Sequence, residues 1–222
     1  MTLPDTSRPR LTVRGEAHVE TAPDLARIGI TLTARGTDRR ATLADLARRN
    51  DAAVVLVREY GPALDALETG PLTLAPELTR RGRGEHVRTH HGTVHLTATL
   101  TDFTALGELT TRLADLDLTR VDGPWWSLRP TSPAHSEARH QAVQDAVQRA
   151  RDYAHALGTR LDALLELDTT TPDHTPFGAP ASRMAFATES AEGAPHPLDL
   201  QPQRQTASAY VTARFGLHPP SL

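Results

Sequence analysis

Histidine is the side chain with the broadest chemistry in this sequence, with 11 copies in 222 residues. Its imidazole can bind a metal ion or act as a general base near neutral pH. His90, His91 and His95 form the densest cluster, on a segment that alternates like a strand. At a rise of about 3.3 Å per residue, His91 and His95 would lie roughly 13 Å apart, too far to share one metal ion. The spacing therefore favours a solvent-facing row of histidine and threonine over a metal site.

A second pair, His135 and His140, lies on a predicted helix and superficially resembles the helix of zinc proteases. That motif places two histidines four residues apart, so that both face one metal ion. Here they are five residues apart. At about 100° per residue they point roughly 140° away from each other. The spacing argues against a metalloprotease, and the sequence predicts no metal site.

Arginine supplies the strongest basic cluster, around a predicted turn. It comprises Arg80, Arg81, Arg83 and Arg88, to which His90 and His91 add two imidazoles. Such a cluster could bind an anion or a small ligand. No aromatic residue interleaves with it, so nucleic-acid bases have no local stacking platform, and a solvated hairpin tip is the commoner outcome.

Two adjacent tryptophans, Trp125 and Trp126, stand out in a chain with 4% aromatic residues. Neighbouring strand residues face opposite sides of a sheet, so one indole is expected to pack under a helix. The other is expected to lie exposed, in a pocket or at a subunit interface, where tryptophan is enriched. Both are therefore candidate interface residues.

Several kinds of chemistry are excluded by composition. The chain has no cysteine, and all 24 of its basic Lys or Arg residues are arginine. Thiol nucleophiles, disulfides, Schiff-base lysines and Walker-type phosphate loops are therefore ruled out. The net charge of -3 argues against a generally nucleic-acid-binding surface. No catalytic motif or cofactor fingerprint is present, so we predict neither a catalytic residue nor a cofactor.

The elements that must position these side chains follow from hydrophobic period and turn residues. Helices are predicted over 38–60, 104–113 and 133–157, with caps or an early proline at their starts. Strands are predicted over 11–20, 25–34, 67–78, 85–100, 118–129, 161–167 and 206–217. The first two strands are expected to form a hairpin, Gly70-Pro71 to interrupt the third, and His91-Gly92 to form a bulge. The order ββαββαβαββ predicts an α+β fold, with antiparallel-rich sheets carrying three helices, in two βαβ-like lobes.

At the level of domains, residues 1–9 are expected to be disordered, 10–217 to form a single domain and 218–222 a tail. Residues 168–205 lack periodicity and are expected to form a long mobile loop. The first ten residues contain no apolar run of a secretory signal, and no later stretch is long enough to span a membrane. The sequence therefore predicts a cytoplasmic location.

Several stretches are recognisable in their order and spacing. They are Val13-Arg14-Gly15-Glu16, Ala22-Pro23-Asp24, the alanine-rich helix ending at Gly158, Pro197 to Pro202, and a last strand from Ala207 to Phe215. Together they resemble the SIMPL-domain family, which includes bacterial periplasmic-immunogenic-protein-like and kinase-associated signalling-molecule-like proteins. The resemblance covers about residues 11–217. Ala17, where many relatives keep a glycine-type pattern, and the Arg-rich hairpin around Arg81 depart from it.

The resemblance implies an α+β protein without an agreed reaction. Some bacterial relatives are similar to ring- or channel-forming homo-oligomers, and others are linked to oxidative-stress tolerance. For this chain it implies a non-enzymatic, self-assembling structural or interaction protein, with a link to stress response. The alternative is a small-ligand or anion-binding protein, or an unrecognised enzyme, that uses the Arg/His-rich hairpin around residues 80–95.

Overall fold

The computed structural model describes residues 9–81, 84–169 and 198–219, without the side chains of 79–86. Within these ranges, three helices and seven strands follow one another in the predicted order. They are β1 (Arg10–Thr21), β2 (Leu25–Gly36), α1 (Arg39–Arg58), β3 (Leu64–Arg81), β4 (Gly84–Leu100), α2 (Phe103–Ala114), β5 (Thr119–Ser127), α3 (Pro133–Ala156), β6 (Leu161–Asp168) and β7 (Gln205–Leu217). The strands form two antiparallel sheets, so the predicted α+β class is confirmed. No helix in the described ranges is long and apolar enough to cross a membrane.

The chain divides into two compact units. The first comprises residues 1–21, 130–189 and 204–222, and its described elements are β1, α3, β6 and β7. The second comprises residues 22–129 and 190–203, and contains the other six elements.

In the second unit, the strands lie in the order β3-β4-β2-β5, with every neighbouring pair antiparallel. The chain order β2-α1-β3-β4-α2-β5 therefore forms two interleaved split βαβ units, the ferredoxin-like arrangement. Alternate residues of β2 and β4 point under the helices and are almost completely buried. They are Ile28, Ile30, Leu32, Val94, Leu96 and Leu100. The opposite face of this sheet carries arginine, threonine and histidine.

The first unit repeats part of this topology. Its sheet has the order β1-β7-β6, so that the last strand lies between β1 and β6. These two strands come before and after α3 in this unit, with residues 22–129 of the second unit inserted between β1 and α3. The same first–third–second order relates β2, β4 and β3 around α1. The two predicted βαβ-like lobes are thus two copies of one βαββ motif, the second of which is extended by α2 and β5.

The predicted hairpin between β1 and β2 is wrong. β1 pairs with β7, whereas β2 pairs with β4 and β5. Tight hairpins need residues with positive φ, and Pro23 fixes a negative φ in the short connection. Asp24 instead anchors the start of β2 beside the end of β5. Its N–H donates to the Ser127 carbonyl at 3.0 Å, and its carboxylate accepts from the Arg129 N–H at 2.9 Å.

Two local predictions have different outcomes. The interruption predicted at Gly70-Pro71 is present only as an irregularity of pairing: β3 continues through both residues, but its register with β4 shifts between Thr69 and Leu72. The bulge at His91-Gly92 is wrong, because β4 pairs regularly with both neighbours there. Gly92 instead makes room for the core, since a Cβ at this position would lie 3.1 Å from Leu46 Cδ2.

Candidate functional site

The glycine of the N-terminal signature is a packing device. Gly15 lies on β1 directly beneath α3, and a Cβ there would lie 2.1 Å from the Ala142 carbonyl oxygen and 2.6 Å from the Ala146 nitrogen. The next residue fastens the contact, because the N–H of Glu16 donates to the Asp145 carboxylate at 3.0 Å. The glycine of this signature therefore holds a helix on a sheet.

The helix that Gly15 approaches is built for the same contact. Its buried residues are alanines at every fourth position: Ala134, Ala138, Ala142, Ala146, Ala150 and Ala154. Small side chains on one stripe let the helix backbone come close to the strand beneath it. Tyr153 and Leu157, at the C-terminal end of this helix, are 58% and 43% exposed.

The C-terminal signature also has a structural role. The carbonyl oxygen of Leu198 passes so close to α2 that a Cβ on Gly107 would lie 2.2 Å from it. Leu200 packs partly against the core of the second unit. The segment of residues 198–203 is thus fixed across α2 through a contact that only glycine allows. Residues 170–197, which include Pro197 and most of the predicted loop, lie outside the described ranges.

The two tryptophans face opposite sides of their sheet, as predicted. Trp126 packs partly against the core and contacts Phe103 of α2 edge-to-face, with ring centroids 4.8 Å apart. Trp125 is 41% exposed on the opposite face, where the Arg27 guanidinium carbon lies 5.7 Å from its ring centroid. The interface role of both residues stays a prediction.

Around Trp125 lies a shallow groove of about 540 Å³ on the open face of the four-stranded sheet. Its polar lining consists of Arg27, Thr31, His95, Thr97, Arg120 and Asp122. Strand pairing brings these residues together, since β2 runs between β4 and β5. The sequence marked His95 and Trp125 but did not join them, because only the register shows that they flank the same strand.

The predicted Arg/His patch is only partly described. Arg83 and the side chains of Arg80 and Arg81 lie outside the described residues. Arg88 is exposed on β4. His91 is exposed and lies 3.3 Å from the Thr93 hydroxyl, as expected for a solvent-facing row, whereas His90 is half-buried. The described part therefore holds Arg88 and His91 on the surface of β4.

An acidic residue accompanies this patch. The Glu77 carboxylate accepts hydrogen bonds from the Thr89 hydroxyl at 2.7 Å and from the Arg35 guanidinium. Chiefly the Thr89 hydrogen bond, and then that of Arg35, lowers the pKa of Glu77 below its ordinary value. This carboxylate offsets part of the positive charge that the sequence assigned to the region.

A second groove, of about 640 Å³, lies between α3 and β6 in the first unit. Its apolar lining is Val147, Ala154, Leu161, Leu164 and Phe215. Beside it, Leu164, Leu165 and Leu167 of β6 are 54%, 52% and 41% exposed. The sequence predicted this strand but not its exposure. One feature of the sequence could have indicated this exposure. Apolar residues occupy both odd and even positions of the strand, which also carries the polar residues Asp162 and Glu166.

Within the described ranges, no group of three His, Asp or Glu residues is placed to hold a metal ion. The ion pairs that shift pKa values lie at the surface, and they join either residues one helical turn apart or residues of different elements. Asp45, for example, accepts from Arg49 at 2.9 Å and also from Arg48, and these bonds lower its pKa. They stabilise local structure and contribute to neither groove.

A family model described as SIMPL, protein of unknown function (DUF541), matches residues 11–215. No curated protein matches the chain. Among solved structures, the chain is similar to a Burkholderia cenocepacia protein provisionally described as an amidohydrolase/peptidase. The two are 19% identical, and the match covers 66% of this chain and 34% of that one, with a TM-score of 0.25. The chain spans about a third of that protein's length, and so distant a likeness carries no argument about activity.

Proposed function

The chain belongs to the SIMPL family, and we propose that it acts there as a non-enzymatic protein that assembles with copies of itself. The observation that supports this proposal is the exposed apolar strand β6 at the edge of the first unit's sheet. Leu164 and Leu167 pair with Phe215 and Ala213 of β7, which are buried beneath α3. Directly opposite residues share a face, so the two leucines continue the buried apolar face beyond the helix.

The dimensions of the elements explain why β6 is exposed. Neighbouring strands lie about 4.8 Å apart, so three strands present a face roughly 14 Å wide. A helix with its side chains is about 10 Å across. α3 packs over β1 and β7 and barely reaches β6. In the second unit two helices share a four-stranded sheet, whereas the described part of the first unit has one helix for three strands.

The same patch offers both a ridge and a groove. Leu164, Leu165 and Leu167 are exposed along β6. The groove between β6 and α3 lies beside them, and its lining is partly apolar, with Arg151, His155, Arg160 and Asp162 among its polar residues. A surface that contains a ridge beside a matching groove can pair with a second copy of itself about a two-fold axis. The free backbone groups of an edge strand add hydrogen bonds to such pairing. A second copy of this chain is therefore the occupant that we propose.

The test is a matched pair of variants, Leu164→Asp and Leu72→Asp. Both leucines lie on strands and are similarly exposed, at 54% and 56%. We expect Leu164→Asp to lower the mass measured by light scattering toward that of a monomer, because a buried carboxylate would oppose pairing. Leu72→Asp should keep the wild-type mass. Circular dichroism and the melting temperature check that both variants fold.

Two results would contradict the proposal. One is an assembled Leu164→Asp variant, which would place the interface elsewhere. The other is a wild-type chain that stays monomeric, which would leave β6 to another partner or to the chain's own remaining residues. A cytoplasmic location and a role in stress tolerance, which the resemblance and the sequence suggest, stay predictions beside this proposal.

A further inference from the structure

The groove around Trp125 is separate from the proposed assembly surface, since all of its lining residues belong to the second unit. Its shape depends on a glycine, which has no side chain, at the centre of the groove. Gly29 lies at the middle of the groove on the central strand β2, with Thr97 opposite it on β4 and Asp122 opposite it on β5. Its neighbours on the same face, Arg27 and Thr31, carry side chains. The absence of a side chain at Gly29 leaves space above the strand, part of which the Trp125 ring occupies.

Trp125 forms one side of this space. A Cβ on Gly29 would lie 3.4 Å from both Cη2 and Cζ3 of the indole, so the ring reaches over the glycine backbone. The ring is 41% exposed on a face that otherwise presents polar residues. An exposed indole beside a shallow groove offers a flat apolar surface on which a planar ring can stack.

The charged side chains of the groove indicate what charge a ligand would carry. Arg120 donates to Asp122 at 2.6 Å and 2.9 Å, so these two charges offset each other. Arg27 makes no ion pair with any carboxylate in the part of the chain that the structure describes, and its guanidinium lies over the Trp125 ring, 5.7 Å from the ring centroid. Another acid, Glu68, lies opposite Thr97 on β3, one strand farther out. The groove thus keeps one unneutralised cation next to its aromatic surface.

Neutral donors and acceptors complete the lining. The Nδ1 atom of His95 lies 3.0 Å from the Thr31 hydroxyl, which orients the imidazole and leaves Nε2 for a ligand. Thr97 supplies a hydroxyl on the same side. From this combination, we propose that the groove binds an aromatic ring that carries an anionic group, either a phosphate or a carboxylate. The ring packs against the part of Trp125 that Arg27 leaves exposed, and the anionic group binds Arg27.

Matched probes separate the ring from the charge. Adenosine monophosphate and benzoate each carry a ring and an anion, whereas adenosine and benzamide carry the ring alone and inorganic phosphate the anion alone. Trp125 and Trp126 are the two tryptophans of the chain. Their fluorescence, excited selectively, therefore reports binding, and Trp125→Phe identifies the responding ring. We expect saturable quenching by at least one charged probe and not by its neutral partner.

The variant Arg27→Gln tests the cation. It should weaken binding by about tenfold or more, because a charge-assisted hydrogen bond is lost. Arg35→Gln is the control, since Arg35 lies on the same strand and face but pairs with Glu77. Response to adenosine monophosphate alone would assign the site to phosphates, and response to benzoate alone to carboxylates.

Three outcomes would overturn the proposal. They are no saturable response to either charged probe up to millimolar concentration, equal binding of adenosine monophosphate and inorganic phosphate, and unchanged affinity in Arg27→Gln. Calorimetric titration of the same variants checks that fluorescence has not missed binding.

Discussion

Gly15 shows how a recognisable residue of this chain works without chemistry. It belongs to the N-terminal signature, and its missing Cβ is what lets α3 lie against β1. Gly107 does the same for the Leu198 carbonyl on α2. The sequence marked the first stretch through its order and spacing. It could not reveal what the glycine touches, because the contacting helix follows more than a hundred residues later.

Replacement of Gly15 by alanine should destabilise the fold severely. The new Cβ would overlap backbone atoms of Ala142 and Ala146, which cannot move aside as a flexible side chain can. We expect a loss of at least about 3 kcal/mol, the upper end of typical overpacking costs. Urea denaturation measures it.

Gly29→Ala is the matched control, since it is the same substitution on a strand. Its Cβ would make an ordinary 3.4 Å contact with the Trp125 ring. The stability should change by no more than about 1 kcal/mol. Equal effects of the two substitutions would contradict the packing role of Gly15.

Two surface carboxylates make the free energy of unfolding depend on pH. Hydrogen bonds from Arg49 and Arg48 lower the pKa of Asp45 below its ordinary 3.8, and those from Thr89 and Arg35 lower that of Glu77 below 4.5. The unfolded chain therefore binds more protons between the folded and unfolded pKa values, and stability falls as the pH falls through that range. At a pH above the ordinary pKa values of both residues, their full contribution to stability is present.

The double variant Asp45→Asn/Glu77→Gln isolates this contribution. It should be less stable than wild type at neutral pH, and the difference should shrink once the pH is below both ordinary values. Denaturant midpoints at the two pH values measure it. A difference that stays constant or grows on acidification would contradict these pKa directions.

At the scale of the element, local signals placed helices well. Asp38 and Asp102 cap α1 and α2, with carboxylate oxygens that accept the Ala41 N–H at 2.8 Å and the Thr104 N–H at 2.9 Å. Strand partners were harder to predict, because the alternation of β1 and β2 shows which residues face inward but not which strand lies alongside. The exposure of β6 was not predicted either. It depends on how far α3 extends over the sheet, which the local pattern of the strand does not show.

The contact between α2 and residues 198–203 provides a test at this scale. Gly107→Ala should displace this segment, because the new Cβ would lie 2.2 Å from the Leu198 carbonyl oxygen. Hydrogen exchange followed by mass spectrometry should show faster exchange in residues 198–203. Glu108→Ala, at an exposed position of the same helix, should leave exchange there unchanged. Equal exchange in Gly107→Ala and wild type would show that the segment does not depend on this contact.

At the scale of the whole molecule, one βαββ motif occurs twice, and the two copies differ in which further elements cover their sheets. The second unit adds α2 and β5, so that two helices share its sheet and bury its apolar face. The first unit adds neither in the described ranges, and its third strand keeps exposed leucines. Such apolar edges mark sites of association in proteins that remain folded. We therefore propose that a second copy of the chain covers the exposed leucines of the first unit.

The most direct test is the solution mass of the untagged chain, measured by light scattering after size exclusion at low and high salt. We predict a stable multiple of 24.1 kDa that persists at high salt, because apolar association is not screened as surface ion pairs are. A mass of one chain at every concentration and at both salt levels would contradict the proposal that β6 pairs with a second copy.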